Sequence, residues 1–320
     1  MSATDTPRRQ AGAASLMPRV RPHLHIPVAA VLLIVGAVFC FSLLDTCVKF
    51  LAQRYPVPLL VWARYGLQAV ATVVWLAPTM RMNLVRTPQL GLQLVRGSVL
   101  LFSSLCFFSA LKFLPLADAT AINYLTPVVV ILLSVAVLKE RMTRSRWAFV
   151  GVGFFGMLLI VRPGASILHG AALLGLGAAS FYATYQLLTR KLSAEDPRVT
   201  LFYPALVGTV LMTIVLPFID RGAAMPWTHM ALVALTGALG TLGHFLFILA
   251  FQRAPASALT PFTYMQIVWA TLLGWLFFGN FPDGFTLTGI AIIAGSGLML
   301  AWHERRKALA AIPEEPMAVD

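Results

Sequence analysis

The 320-residue chain is 59% hydrophobic and 11% charged, with a mean hydropathy of +0.82 and a formal net charge of +12. Globular domains carry about a quarter charged residues, so this composition excludes a soluble protein. The cations lie in short loops and tails, with no basic stripe interleaved with aromatics, which excludes nucleic-acid binding.

Residues 1–26 are polar, with Arg8, Arg9, Arg19 and Arg21 among several prolines, and read as a disordered cytoplasmic tail. The first apolar run is too long for a cleavable leader. Windows long enough to cross a bilayer predict helical spans at 27–51, 57–78, 91–113, 116–138 and 147–162. Five more follow at 170–190, 199–218, 229–251, 258–278 and 285–303, before a second cytoplasmic tail over 304–320. The fold class is an all-α polytopic membrane protein of ten spans. Cys40, Cys47 and Cys106 all lie within spans, and their odd number argues against a disulfide framework.

The spans repeat. Ala110, Pro115, Thr120, Tyr124, Val128, Leu132 and Leu133 recur as Ala250, Pro255, Thr260, Tyr264, Val268, Leu272 and Leu273. Near the starts of the halves, Gly36, Ala37, Lys49, Leu51 and Pro56 match Gly177, Ala178, Arg190, Leu192 and Pro197. Residues 27–162 and 170–303 thus read as two copies of one five-span unit. An odd number of spans per copy inserts the second upside down. All but six of the 24 Lys and Arg then fall on one side, the exceptions being Lys49, Arg54, Arg64, Lys112, Arg162 and Arg221. That bias predicts both termini inside. Equivalent loops agree: 139–146 is cationic, whereas 279–286 holds no Lys or Arg.

Within the fourth span, Thr120, Asn123, Tyr124 and Pro127 fall on one helical face. Pro127 cannot donate to the Asn123 carbonyl, which should leave that acceptor free. Thr260, Thr263 and Tyr264 repeat the stripe in the ninth span. Such stripes suit either a cavity wall or an interhelical contact. Asp45 and Arg64 lie at matching depth in the first two spans, available for a structural ion pair or, with Asp45 as a proton site, for coupling. Lys49 is expected to snorkel to the interface. His244 stands where the first copy has Ser104, among Gly237, Gly240 and Gly243. No second His, Cys or carboxylate stands at ligand spacing to it, so neither metal nor cofactor is expected. Tyr182, Tyr185 and Gln186 cluster on the sixth span. The glycines at 151, 153, 156, 289, 295 and 297 suit helix packing or a homodimer contact. Metalloprotease, nucleophile-elbow and phosphate-loop signatures are absent, so an enzyme is not expected.

The stretches 107–130 (F-F-S-A-L-K-F-L-P-L-A-D-A-T-A-I-N-Y-L-T-P-V-V-V) and 138–141 (L-K-E-R), with 249–266 (L-A-F-Q-R-A-P-A-S-A-L-T-P-F-T-Y-M-Q), resemble EamA-type members of the drug/metabolite transporter superfamily. The resemblance implies a ten-helix basket in the inner membrane, with a central cavity lined by helices three, four, eight and nine. On this sequence it favours Ser104, Asn123, Tyr124, His244, Thr263 and Tyr264 as cavity residues. Members are reported to move amino acids, vitamins, nucleotide-related compounds and drugs. A Gly-Glu pair common after the ninth helix is here Gly279-Asn280, while Glu140 keeps its carboxylate in the first half. The expected function is secondary transport of a small polar or amphipathic metabolite by alternating access, against the alternatives of a non-transporting scaffold or sensor and of a membrane enzyme. The expected partners are that solute and the lipid bilayer.

Overall fold

The computed structural model describes residues 27–126, 128–130, 132–133, 144–161, 168–192, 195–219, 224–253, 259 and 262–310. Among the described residues the regular structure is entirely helical: α1 Val28–Ala52, α2 Val57–Met80, α3 Leu90–Phe113, α4 Leu116–Asn123, α5 Arg144–Val161, α6 Leu168–Lys191, α7 Pro197–Val215, α8 Trp227–Arg253, α9 Met265–Phe278 and α10 Gly284–Ala310. Six stretches are long and apolar enough to cross a membrane, over 28–52, 57–84, 90–113, 170–189, 198–218 and 227–247. Met265–Phe278 and Gly284–Leu300 are shorter apolar helices. The protein is therefore a multi-pass membrane protein, and its surface is inverted relative to a soluble one. Val74, Leu173, Ile214 and Leu276 face outward, while Gln68, Thr72, Gln93 and Arg96 are buried.

Local chemistry sets the helix ends. Pro56 precedes α2 and Pro58 sits in its first turn, where a missing N–H costs nothing. Asp196 caps α7 by accepting the Arg198 N–H at 2.8 Å. α9 stops at Gly279, whose φ of +67° is left-handed, and the Gly279 N–H closes the turn on the Trp275 carbonyl at 2.9 Å. Two expected spans end differently from the sequence pattern. The fourth is not one continuous helix: it breaks at Tyr124–Leu125 and resumes at Thr126. α10 runs on to Ala310, into what reads as a polar tail.

The helices pair in a regular way. α1 lies along α8 and α3 along α6; α2 packs on α7, and α5 on α10. α2 also meets α8, and α3 meets α7. Glycines permit the last two approaches. A Cβ on Gly97 of α3 would stand 2.8 Å from Val207 Cβ, and one on Gly237 of α8 would stand 2.5 Å from Leu67 Cβ. Farther along α8, a Cβ on Gly243 would meet the Phe41 ring at 2.7 Å. α1 also packs against α3, whereas α6 and α8 make no comparable contact among the described residues.

Candidate functional site

The crossing of α4 with the chain entering α9 brings the two tyrosines together. Both occupy a helix break: Tyr124 ends α4, and Tyr264 precedes α9. Their rings lie 5.0 Å apart at 43°. Tyr124 Oη donates to the Thr263 carbonyl at 2.6 Å, with Gln266 Oε1 competing for the same proton at 3.0 Å. Gln266 Nε2 reaches Asp45 Oδ2 at 3.3 Å, and Ser42 Oγ donates to the Gln266 carbonyl at 3.3 Å. Residues of α1, α4 and α9 thus form one polar chain in an apolar setting. Gly297 of α10 lies against Tyr264, where any Cβ would collide with the phenol oxygen.

The Asn123 carbonyl is not free, contrary to the expectation. Thr126 Oγ1 donates to it at 2.6 Å, so a neighbouring hydroxyl replaces the N–H that proline lacks. Asn123 Oδ1 is instead the buried acceptor without a partner. Thr120 is turned inward on its own helix, donating to the Leu116 carbonyl at 2.8 Å, and offers no hydroxyl to a cavity. Ser104 pairs with Tyr65 Oη at 2.8 Å. His244 is half-buried, edge-on to the Phe41 ring at 4.9 Å. Pro127, Thr260 and Pro261 lie outside the described residues, as does Glu140.

Asp45 and Arg64 are both buried, at 5% and 6% exposure, but form no ion pair with each other. The Arg64 guanidinium lies over the rings of Tyr65 at 4.5 Å and Phe108 at 5.5 Å. Its Nε has no partner, nor has Gln68 Oε1 one turn along α2. Lys49 does not snorkel. It is 7% exposed and donates to the Leu111 and Leu114 carbonyls at 3.0 and 2.6 Å, capping the C-terminal end of α3. Gln53 Nε2 adds a bond to the Lys112 carbonyl at 2.8 Å. Arg96, read from sequence as a topology charge, is buried within α3. It binds Thr189 Oγ1 at 2.8 Å, the Thr200 carbonyl at 2.9 Å and Tyr185 Oη at 2.9 Å, tying α3 to α6 and α7. Tyr182 stacks on Tyr185, which places this aromatic cluster beside Arg96.

Sequence reasoning passed over Gln266 and Gln68. A signal for each was present: Gln266 follows Thr263 by three residues, and Arg64, Gln68 and Thr72 recur every four along α2.

The sequence model of the EamA-like transporter family matches the chain twice, over residues 28–162 and 169–302. Among curated relatives, the S-adenosylmethionine uptake transporter of Rickettsia bellii is 28% identical over 230 residues, 70% of this chain and 77% of the relative. The riboflavin transporter of Vibrio cholerae is 26% identical over 292 residues, 88% and 96% of the two chains. The pseudopaline exporter CntI of Pseudomonas aeruginosa is 29% identical over 276 residues, 85% and 96%. A solved crystal structure superposes with a TM-score of 0.62 at 19% identity, covering 88% of this chain and 99% of that one, a likeness of fold alone. These names are those of transporters, not enzymes, and the twofold family match covers most of the sequence. The chain belongs to the EamA-like transporter family.

Proposed function

We propose that the protein is a secondary transporter of a small metabolite, built from two inverted five-helix repeats that alternate in opening to either side of the inner membrane. The helix pairing carries this reading. If α1–α5 and α6–α10 are equivalent, α1–α8 and α3–α6 are the same contact seen twice, as are α2–α8 and α3–α7. The glycine approaches obey the same equivalence, since Gly97 and Leu67 correspond to Gly237 and Val207. One contact breaks it: α1 packs on α3, but among the described residues α6 does not pack comparably on α8. An inverted-repeat carrier caught in one state differs between its halves in this way, because only one end is shut at a time.

The closed end is the one at Lys49, which charge bias assigns to the outer face with both termini cytoplasmic. The substrate sits beside Tyr124 and Tyr264, between the shut end and the open one, with Asn123, Thr263 and His244 near it. The relatives' names cover S-adenosylmethionine, riboflavin and pseudopaline, and both uptake and export. That range supports small-molecule transport and leaves substrate and direction to experiment.

The test is counterflow in proteoliposomes holding the purified full chain. The panel is labelled amino acids, S-adenosylmethionine, riboflavin and nucleosides. Saturable exchange of at least one solute, lost in the Tyr124→Ala, Tyr264→Ala double variant, is expected. Absence of exchange across the panel, or exchange unaffected by that variant, contradicts the reading.

A further inference from the structure

The break that ends α4 and the break before α9 each take a carbonyl out of its helix. At Asn123 the cause is Pro127, which has no N–H to offer. At Thr263 the residue four places on is Ile267, whose N–H turns instead to the Tyr264 carbonyl at 3.0 Å. Pro127 and Ile267 stand at the same place in the two copies, as do Asn123 and Thr263. The two acceptors are met differently. Tyr124 crosses from the other half to donate to the Thr263 carbonyl at 2.6 Å, with Gln266 Oε1 3.0 Å from the same hydroxyl. The Asn123 carbonyl is met locally, by Thr126 Oγ1 at 2.6 Å, and Thr126 stands where the second copy has Gln266. Tyr264, the counterpart of Tyr124, turns its phenol against Gly297 of α10, where there is no room for a Cβ. Asn123 Oδ1 stays buried without a partner. One tyrosine is engaged across the halves and its counterpart is parked.

On the reading that the chain is an inverted-repeat transporter, we propose that the two tyrosines exchange roles when the carrier switches sides. Tyr124 leaves the Thr263 carbonyl, and Tyr264 leaves Gly297 to donate to the Asn123 carbonyl, displacing the Thr126 hydroxyl. The rings already lie 5.0 Å apart, so the exchange needs rotation at the two helix breaks and no long side-chain journey. One hydroxyl-to-carbonyl bond across the halves is broken and one is made, which keeps the two states close in energy and lets a solute shift their balance. The released Thr126 hydroxyl and the unmet Asn123 Oδ1 then stand beside the incoming phenol, as Gln266 Oε1 stands beside Tyr124.

The experiment places spin labels at exposed Lys191 and Arg253 of the full chain in liposomes and reads the ratio of long to short distances. Tyr124→Phe removes the bond seen in this structure and should move the ratio toward the short distance by about fivefold, what one hydrogen bond is worth. Tyr264→Phe removes the bond of the exchanged state and should move it about as far the other way. Gly297→Ala puts a methyl group where the Tyr264 phenol rests and should act like Tyr124→Phe. Thr126→Val leaves the Asn123 carbonyl open to Tyr264, so it should also favour the short distance, and that shift should vanish in the Tyr264→Phe background. The phenylalanine variants keep the ring, so they test the exchange even where Gly297→Ala does not fold. The proposal is overturned if both phenylalanine variants move the ratio the same way, if Tyr264→Phe leaves it unchanged, or if the Thr126→Val shift survives without the Tyr264 hydroxyl. Two distances with any of these results leave alternating closure standing without the exchange; a single distance in every variant sinks both.

Discussion

At one end of the molecule α1 and α3 are clasped; among the described residues α6 and α8, their counterparts on the proposed equivalence of the halves, make no comparable contact. The clasp is specific. Lys49 gives its ammonium to two carbonyls at the end of α3, and Gln53 gives its amide to a third. Lys49 corresponds in sequence to Arg190 on α6, so the sequence offers a cation at the equivalent position of the second half. On the proposed equivalence of the halves, contacts that recur, such as α1–α8 with α3–α6, suit rigid frames, whereas the α1–α3 contact suits a moving gate. A buried cation that holds a helix end through carbonyls is a fitting gate element. Its bonds are strong enough to hold, yet few enough to be exchanged for water.

Substitution at the clasp should have the largest effect. Hydrogen bonds to a charged group are worth about 1.5–3 kcal/mol each. Removing both in Lys49→Met should therefore shift the balance between states by about 3 kcal/mol, roughly a hundredfold. Exchange should slow at least tenfold, with the α1–α3 end opening in spin-label distance measurements. Arg190→Met should act in the opposite sense, deepening the state with the Lys49 end shut. If both variants shift the populations the same way, the equivalence of the two ends fails.

The glycine pair sharpens the comparison at contacts that the two halves share on the proposed equivalence. Gly97→Ala and Gly237→Ala each force a methyl group against a partner's Cβ. Overpacking of this kind costs about 1–3 kcal/mol. The two should lower thermal stability in detergent by similar amounts, and a large loss at only one would show that the frames are not equivalent. A smaller effect is expected where the halves touch. Tyr124→Phe removes the bond to the Thr263 carbonyl and should cost about 1 kcal/mol in stability while changing the apparent affinity for solute. The smallest belongs to Thr126→Val, which leaves the Asn123 carbonyl without its hydroxyl partner and should destabilise by somewhat under 1 kcal/mol with transport retained.

Much of this was legible in the sequence because bilayer physics is strict. Long apolar runs mark membrane-length helices before any coordinates. What escaped was local. The Asn123 carbonyl follows from Pro127 as a missing bond, but nothing in the sequence pattern chooses the Thr126 hydroxyl to repair it. The depth of Lys49 suggested snorkelling, because distance to water can be counted along a helix whereas the position of the α3 terminus cannot. Arg96 counted as a topology charge for the same reason: its partners on α6 and α7 are about 90 to 100 residues away in sequence. The separation of Asp45 from Arg64 was equally invisible, since matched depth says nothing of how two side chains turn.

The most direct test of the proposed alternating closure is electron–electron distance measurement in liposomes on two label pairs: exposed Gln53 with Lys112 at the clasped end, and exposed Lys191 with Arg253 where α6 and α8 would close. Alternating access predicts two populations whose pairs change reciprocally, Gln53–Lys112 short when Lys191–Arg253 is long and the reverse, with solute shifting their ratio. A single distance at both pairs, or pairs that lengthen together, would contradict it.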